Sequence, residues 1–324
     1  MLPLTAEEIA SARAIVAALQ PPTPTLRWPL LDQRLVARAW VKHENHGRVG
    51  AFKLRGGAVY LHELVRREPR TRGIISATRG NHGQSIALAA ARHGVAATIV
   101  VPHGNSVEKN AAMRALGATL VEHGSDFQHA REHAARLADE RGLHFVPSFH
   151  RDLVRGVASY WMEFFEASAG DPPEVVFVPI GQGSGIVACA CARAVHGATK
   201  TRIVGVVSAH ATAYLDSVRA GKAVAAPVTT LLGDGMACRL PDEAALAAIL
   251  RDVDDVIAVT DAELAQAMRA LFADTHNVAE GAGAASLAGA LQQRSALAGR
   301  SVGITLCGGN VDSAVFARVL AGAA

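Results

Sequence analysis

Short β-branched runs alternating with long alanine-rich stretches predict an α/β fold, with parallel-rich sheets covered by helices and divided into two lobes. Two further observations support it. Glycine-rich segments follow three of the β-branched runs, at the strand ends where open α/β sheets bind ligands. The 324 residues are 50% hydrophobic and 19% charged, a balance that buries a large core and excludes a disordered chain.

Along the chain, Thr5 and Glu8 form the T-x-x-E of a capping box ahead of a helix expected over Ile9–Leu19, and Pro21, Pro22 and Pro24 end it with a stiff connector. Strands are expected at Ile74–Ser76, Thr98–Val101, Val175–Pro179, Ile203–Val207 and Val302–Leu306. Helices are expected at Gly83–His93, Val107–Leu116, Phe127–Arg141, Val187–Val195 and Ser313–Leu320. The compact strand–helix alternation over 73–147 predicts a small domain, with 1–72 and 148–324 joining into a discontinuous large one. Nothing after Leu306 suggests an appended regulatory domain.

Composition narrows the partners. A net charge of +3, 5% aromatic residues and no basic block argue against nucleic-acid binding. No apolar run reaches the ~18 residues of a membrane span, and the stretch Met1 to Gln20 carries Glu7 and Glu8 instead of a basic leader, so a cytoplasmic location is expected. Cys189 and Cys191, two apart in a helical stretch, read as buried thiols and not as a disulfide pair.

The first glycine loop, Gly181-Gln182-Gly183-Ser184-Gly185-Ile186, opens a helix, where converging N–H groups and the helix dipole suit a phosphate. A dinucleotide fingerprint is ruled out because position 186 is Ile and the next strand ends without an acid; a P-loop is ruled out because no G-K-[ST] follows. Thr78-Arg79-Gly80-Asn81-His82-Gly83 suits a carboxylate or another anion, and also reads as a plain turn between strand and helix. Cys307-Gly308-Gly309-Asn310 closes the last strand. Lys53, between Phe52 and Leu54, is a candidate for a partly desolvated nucleophile or for a surface lysine. A lysine, one phosphate cradle, an asparagine loop and a small polar residue on the last strand are together the parts that hold pyridoxal phosphate.

These motifs resemble the serine/threonine dehydratase family of fold-type II pyridoxal-phosphate enzymes, relatives of serine racemase. The resemblance runs from Thr23-Pro24-Thr25-Leu26 to Cys307-Gly308-Gly309-Asn310, with S-F-K-x-R-G-A matched by Ala51-Phe52-Lys53-Leu54-Arg55-Gly56-Gly57 and S-x-G-N-H by Thr78 to His82. It implies a two-lobed fold of the tryptophan synthase β kind, the large domain binding the cofactor and the small one closing on substrate. It also implies Lys53 as the catalytic Schiff-base lysine, with Phe52 and Gly235 against the cofactor ring and Asn81 on its 3′-oxygen. Gly181 to Ile186 would take the phosphate, Cys307 would sit beside the pyridine nitrogen, and Thr78, Arg79, Gly80, Asn81 and His82 would bind substrate. The implied reaction is dehydration and deamination of a β-hydroxy-amino acid to a 2-oxo acid and ammonia. In it Lys53 removes the α-proton, and the departing hydroxyl takes a proton that the family is thought to draw from the cofactor phosphate. A thiol at Cys307 does not hold the pyridine nitrogen protonated as a carboxylate would, which suits β-elimination. The family is often dimeric, so a homodimer is expected.

Departures from the family pattern carry information. Racemases of the family have a serine base where this chain has Arg79, and a guanidinium is a poor proton acceptor, which disfavours racemisation. Arg79 instead suits an anionic side chain such as that of 3-hydroxyaspartate, the substrate's own carboxylate, or a structural role; Ala51 in place of a serine widens the pocket, keeping phenylserine open. The metal-binding run G-V-E-P-x-x-A-x-D is Gly205 to Ala213 here, without either carboxylate, so no divalent metal is expected there. His129 and His133 share a helix face with no third ligand. Glu280 matches an E-x-x-G-A run near the family's active site and has no role assigned beyond structure. A β-replacement synthase of the same fold is an alternative, though such enzymes prefer T-S-G-N-T in the asparagine loop. Lys53 argues against a non-enzymatic cofactor-binding protein.

Overall fold

The computed structural model describes residues 3–323; Met1, Leu2 and Ala324, at the two ends of the expected large domain, lie outside the described residues. The chain opens with α1 (Ala6–Ala17), β1 (Thr25–Arg27), α2 (Pro29–Leu35), β2 (Arg38–His43) and α3 (Lys53–Arg67). A second run follows: β3 (Gly73–Ala77), α4 (Asn81–Arg92), β4 (Ala96–Val101), α5 (Val107–Ala115), β5 (Thr119–Glu122), α6 (Phe127–Arg141) and β6 (His144–Phe145). Next come α7 (Arg151–Ala167), β7 (Val175–Pro179), α8 (Ser184–His196), β8 (Arg202–Ser208), α9 (Ala213–Ala220), α10 (Glu243–Asp252) and β9 (Asp255–Val259). The chain finishes with α11 (Asp261–Thr275), α12 (Gly281–Gln292), α13 (Arg294–Leu297), β10 (Ser301–Leu306) and α14 (Ser313–Leu320).

Two sheets result. The larger has the order β1-β2-β10-β7-β8-β9, the smaller β5-β4-β3-β6, and every pairing is parallel except β1 with β2. The central strand β7 shows why: Val176 and Val178 pack toward α7 and α8, while Val175 and Phe177 pack toward α11 and α12. A strand buried on both faces needs an unbroken apolar run, and Val175–Pro179 supplies one. The smaller sheet is covered by α3 and α4 on one face and by α6, through Ala130, Ala134 and Leu137, on the other. Strands of both sheets point their C-terminal ends at one cleft.

Several boundaries differ from the sequence reading. The capping box forms, Thr5 N–H donating to Glu8 Oε2 at 2.9 Å, but its helix starts at Ala6 and ends at Ala17, ahead of Leu19. Helix α4 begins at Asn81 rather than Gly83, and α8 at Ser184 rather than Val187. Glycine's low helix propensity makes the first turn of each look like loop, whereas Gly183, at φ +92°, ends the loop and lets the helix begin at once. Strand β2 also went unforeseen: Ala39 and Val41 face the core, yet Arg38 and Lys42 interrupt the apolar pattern. Cys189 and Cys191 are buried and free. Among the described residues, no helix is long and apolar enough to cross a membrane.

Candidate active site

Lys53 is the first residue of α3, and its Nζ donates to Ser184 Oγ at 3.1 Å across the cleft, 4.9 Å from the Phe52 ring centroid. Burial disfavours the ammonium and lowers this amine from its ordinary value to about 8. Two residues on, the fully buried Arg55 anchors the same helix turn. Its guanidinium bonds Glu44 at 2.7 and 2.9 Å and Glu163 at 2.7 and 2.9 Å, and Lys42 reaches Glu163 at 2.6 Å.

Facing Lys53 is the first turn of α8. The helical ladder starts with Val187 N–H donating to Gly183 O, so the N–H groups of Ser184, Gly185 and Ile186 precede it, and Gly183 offers no side-chain cap. The cradle tolerates only glycine at its tightest point: a Cβ on Gly181 would lie 2.2 Å from Gly235 O. Ile186 is buried in the core and does not line the cleft, whereas Gln182 does.

The asparagine loop comes from the other sheet. Thr78 Oγ1 accepts from Gly80 N–H at 2.8 Å and from Gly83 N–H at 3.3 Å, so the loop's own hydroxyl shapes it. Asn81 Nδ2 donates to Glu280 Oε1 at 2.5 Å, and Asn81 Oδ1 accepts from Asn310 Nδ2 at 2.8 Å, which fixes the amide's orientation. Burial lowers the His82 imidazole to about 3, so it is neutral. Arg79 lines the cleft, and its buried Nε has no hydrogen-bond partner among the described residues. At the far wall Cys307 directly follows β10; burial pushes its thiol well up, and its backbone carbonyl accepts from Phe52 N–H at 3.0 Å.

The structure therefore brings Lys53, Phe52, Thr78 to His82, Gly181 to Gly185, Gly235 and Cys307 into one cleft. Sequence reasoning missed Lys109, whose Nζ lies 2.7 Å from Asp234 and 2.8 Å from Glu280. In the sequence it is one more lysine in a first helical turn, with no apolar flank to mark its burial. His129 and His133 do not pair: His133 stacks on His123 with ring centroids 3.7 Å apart, while His129 bonds Ser125. No group of three or more potential ligands for a metal ion occurs among the described residues.

The residues present fit pyridoxal phosphate. A helix turn without a cap suits the phosphate, a poised buried amine suits the aldehyde, an oriented amide suits the ring oxygen, and a neutral thiol suits the ring nitrogen. The chain belongs to the family of pyridoxal-phosphate dependent enzymes, whose family model matches residues 16–308, and within it to the serine/threonine dehydratases. It is 31% identical over 320 residues to the L-threonine ammonia-lyase of Thermotoga maritima, covering 98% of this chain and 78% of that protein. It is 33% identical over 301 residues to the L-threo-3-hydroxyaspartate ammonia-lyase of Saccharomyces cerevisiae, covering 93% and 91%. The solved structure of processed threonine deaminase isoform 2 from Solanum lycopersicum superposes with a TM-score of 0.87 at 28% identity, covering 98% of this chain and 95% of that one. The protein is a pyridoxal-phosphate-dependent ammonia-lyase, an enzyme of β-elimination.

Proposed function

We propose that the chain converts a β-hydroxy-amino acid to a 2-oxo acid and ammonia, with threonine, serine, phenylserine and 3-hydroxyaspartate as the substrates to compare. The observation that carries this reading is the single cleft uniting Lys53, the uncapped turn of α8, Asn81 and Cys307. When bound, pyridoxal phosphate supplies an electron sink for the charge left at the substrate's α-carbon. Lys53 holds the cofactor and, once released, its Nζ takes the α-proton; Ser184 Oγ steadies that nitrogen. The N–H groups of Ser184, Gly185 and Ile186, with Gly181, Gln182 and Gly183, receive the phosphate. Cys307, a neutral thiol, would face the pyridine nitrogen without holding it protonated, and Phe52 and Gly235 would flank the ring. Thr78 and the N–H groups of the asparagine loop receive the substrate carboxylate.

Residues 73–147 act as the small substrate-closing domain, and 1–72 with 148–324 as the large cofactor-binding one; support comes from the separate sheets that these segments form. The family resemblance supports a cytoplasmic homodimer.

The lowered Lys53 pKa sets a pH dependence. The free amine is the reactive form and grows as pH rises through about 8, so apoenzyme should capture the cofactor faster at pH 9 than at pH 7. Stopped-flow absorbance measures this, and a rate flat across that range would remove the assignment.

Arg79 is the substrate discriminator of this reading, supported by its unpartnered Nε inside the cleft. Arg79→Ala should lower kcat/KM for 3-hydroxyaspartate by about tenfold or more, the usual worth of a charge-assisted bond, and leave serine within about threefold. A panel of the four substrates tests both statements: equal losses on all four refute the role of Arg79, and no 2-oxo acid from any of them refutes the proposed reaction.

A further inference from the structure

Helix α5 belongs to the smaller sheet's layer but is tied to the larger one by two sets of contacts. At its N-terminus Ser106 Oγ bonds Asp312, the residue that opens α14, and Glu108 in return accepts from Ser313 N–H at 2.8 Å and Ser313 Oγ at 2.6 Å. One turn in, the Lys109 ammonium spans Asp234 Oδ2 at 2.7 Å and Glu280 Oε2 at 2.8 Å. The Lys109 stem covers the asparagine loop: a Cβ on Gly80 would lie 2.3 Å from Lys109 Cδ, at a residue whose φ is +153°. Glu280 is buried, and its other oxygen accepts from Asn81 Nδ2.

Lys109 thus touches the loop twice, through its stem on Gly80 and through Glu280 on Asn81. Asn81 Oδ1 already accepts from Asn310 Nδ2. With one Nδ2 hydrogen on Glu280, a single amide hydrogen is left for a ligand. Burial and the neighbouring Asp234 push Glu280 up, whereas the Lys109 ammonium beside Oε2 and the Asn81 bond to Oε1 favour the ionised form. Removing the ammonium would leave two carboxylates facing each other in the protein interior, and Glu280 would then take up a proton or turn away.

We propose that Lys109 is a positioning residue for the elimination: by clamping Glu280 between itself and Asn81, it keeps one Asn81 amide hydrogen available to the cofactor's 3′-oxygen. The inference rests on the reading of Asn81 as the residue at that oxygen. It is tested on the holoenzyme by the position of the visible cofactor band, the cofactor dissociation constant and the kcat and KM for serine. Lys109→Met should shift the band, weaken cofactor binding by about tenfold or more, the usual cost of losing a bond to a charged group, and lower kcat with KM within about threefold. Lys109→Arg should restore most of each. Glu108→Ala, which removes a cross-sheet tie without touching Glu280, should leave the band and the dissociation constant unchanged. If Lys109→Met does not fold, Glu280→Gln carries the test, since it keeps an acceptor for Asn81 and removes the charge; a band shift toward that of Asn81→Ala is expected. An unshifted band in these Lys109 and Glu280 variants, or a Glu108→Ala enzyme that reproduces their behaviour, overturns the proposal. An Asn81→Ala enzyme with an unshifted band overturns the reading beneath it, whereas a shift in Asn81→Ala alone overturns the role of Lys109 only.

Discussion

Lys53→Ala is expected to abolish the visible cofactor band and lower kcat by about a thousandfold or more, because one amine serves both as cofactor anchor and as base for the α-proton. The mutant should fold normally. Lys53 sits at the start of α3, where its own backbone N–H lies outside the helical ladder, and its side chain makes one 3.1 Å bond to Ser184. The band is read by absorbance of the purified protein, and turnover by release of 2-oxo acid. Wild-type-like turnover in Lys53→Ala would remove Lys53 from the mechanism. Added free cofactor should still bind the variant through phosphate and ring contacts that survive loss of the amine, without restoring turnover.

The second large effect is on stability. Arg55→Met should cost about 3–5 kcal/mol, because it strands the buried Glu44 and the half-buried Glu163 with only Lys42 and a hydroxyl to share. Urea unfolding followed by circular dichroism measures it. Adding Glu44→Gln and Glu163→Gln should recover part of the loss, since fewer uncompensated charges remain in the interior. A loss under about 1 kcal/mol would mean that the site tolerates the charges through water entry or rearrangement. Because Arg55 lies two residues from Lys53, the same variant should loosen cofactor binding before it unfolds.

How far the sequence could be read depended on whether a feature left a local signal. Val175–Pro179 and Phe127–Arg141 were placed to the residue because an unbroken apolar run and an Asp126 cap bounded by Gly142 mark them directly. The glycine loops were located, but the helices they open were set two or three residues late, since the features that start those helices are a Gly183 at positive φ and packing against distant backbone. Lys53 was visible because its motif is contiguous. Lys109 and Arg55 were not assigned their roles because their partners, Asp234 and Glu280 for one and Glu44 and Glu163 for the other, come from remote segments. The sequence marks Glu280 but not its task for the same reason: its partner Asn81 is 199 residues away.

Lys53 opens α3, locked from behind by Glu44 and Glu163, whereas Arg79 sits in the loop between β3 and α4. Reactivity and selectivity therefore rest on different side chains. Exchanging Arg79 can change which amino acid is admitted while Lys53, Asn81 and the charges behind the lysine stay as they are. An enzyme built this way can change its substrate through one position of a short loop.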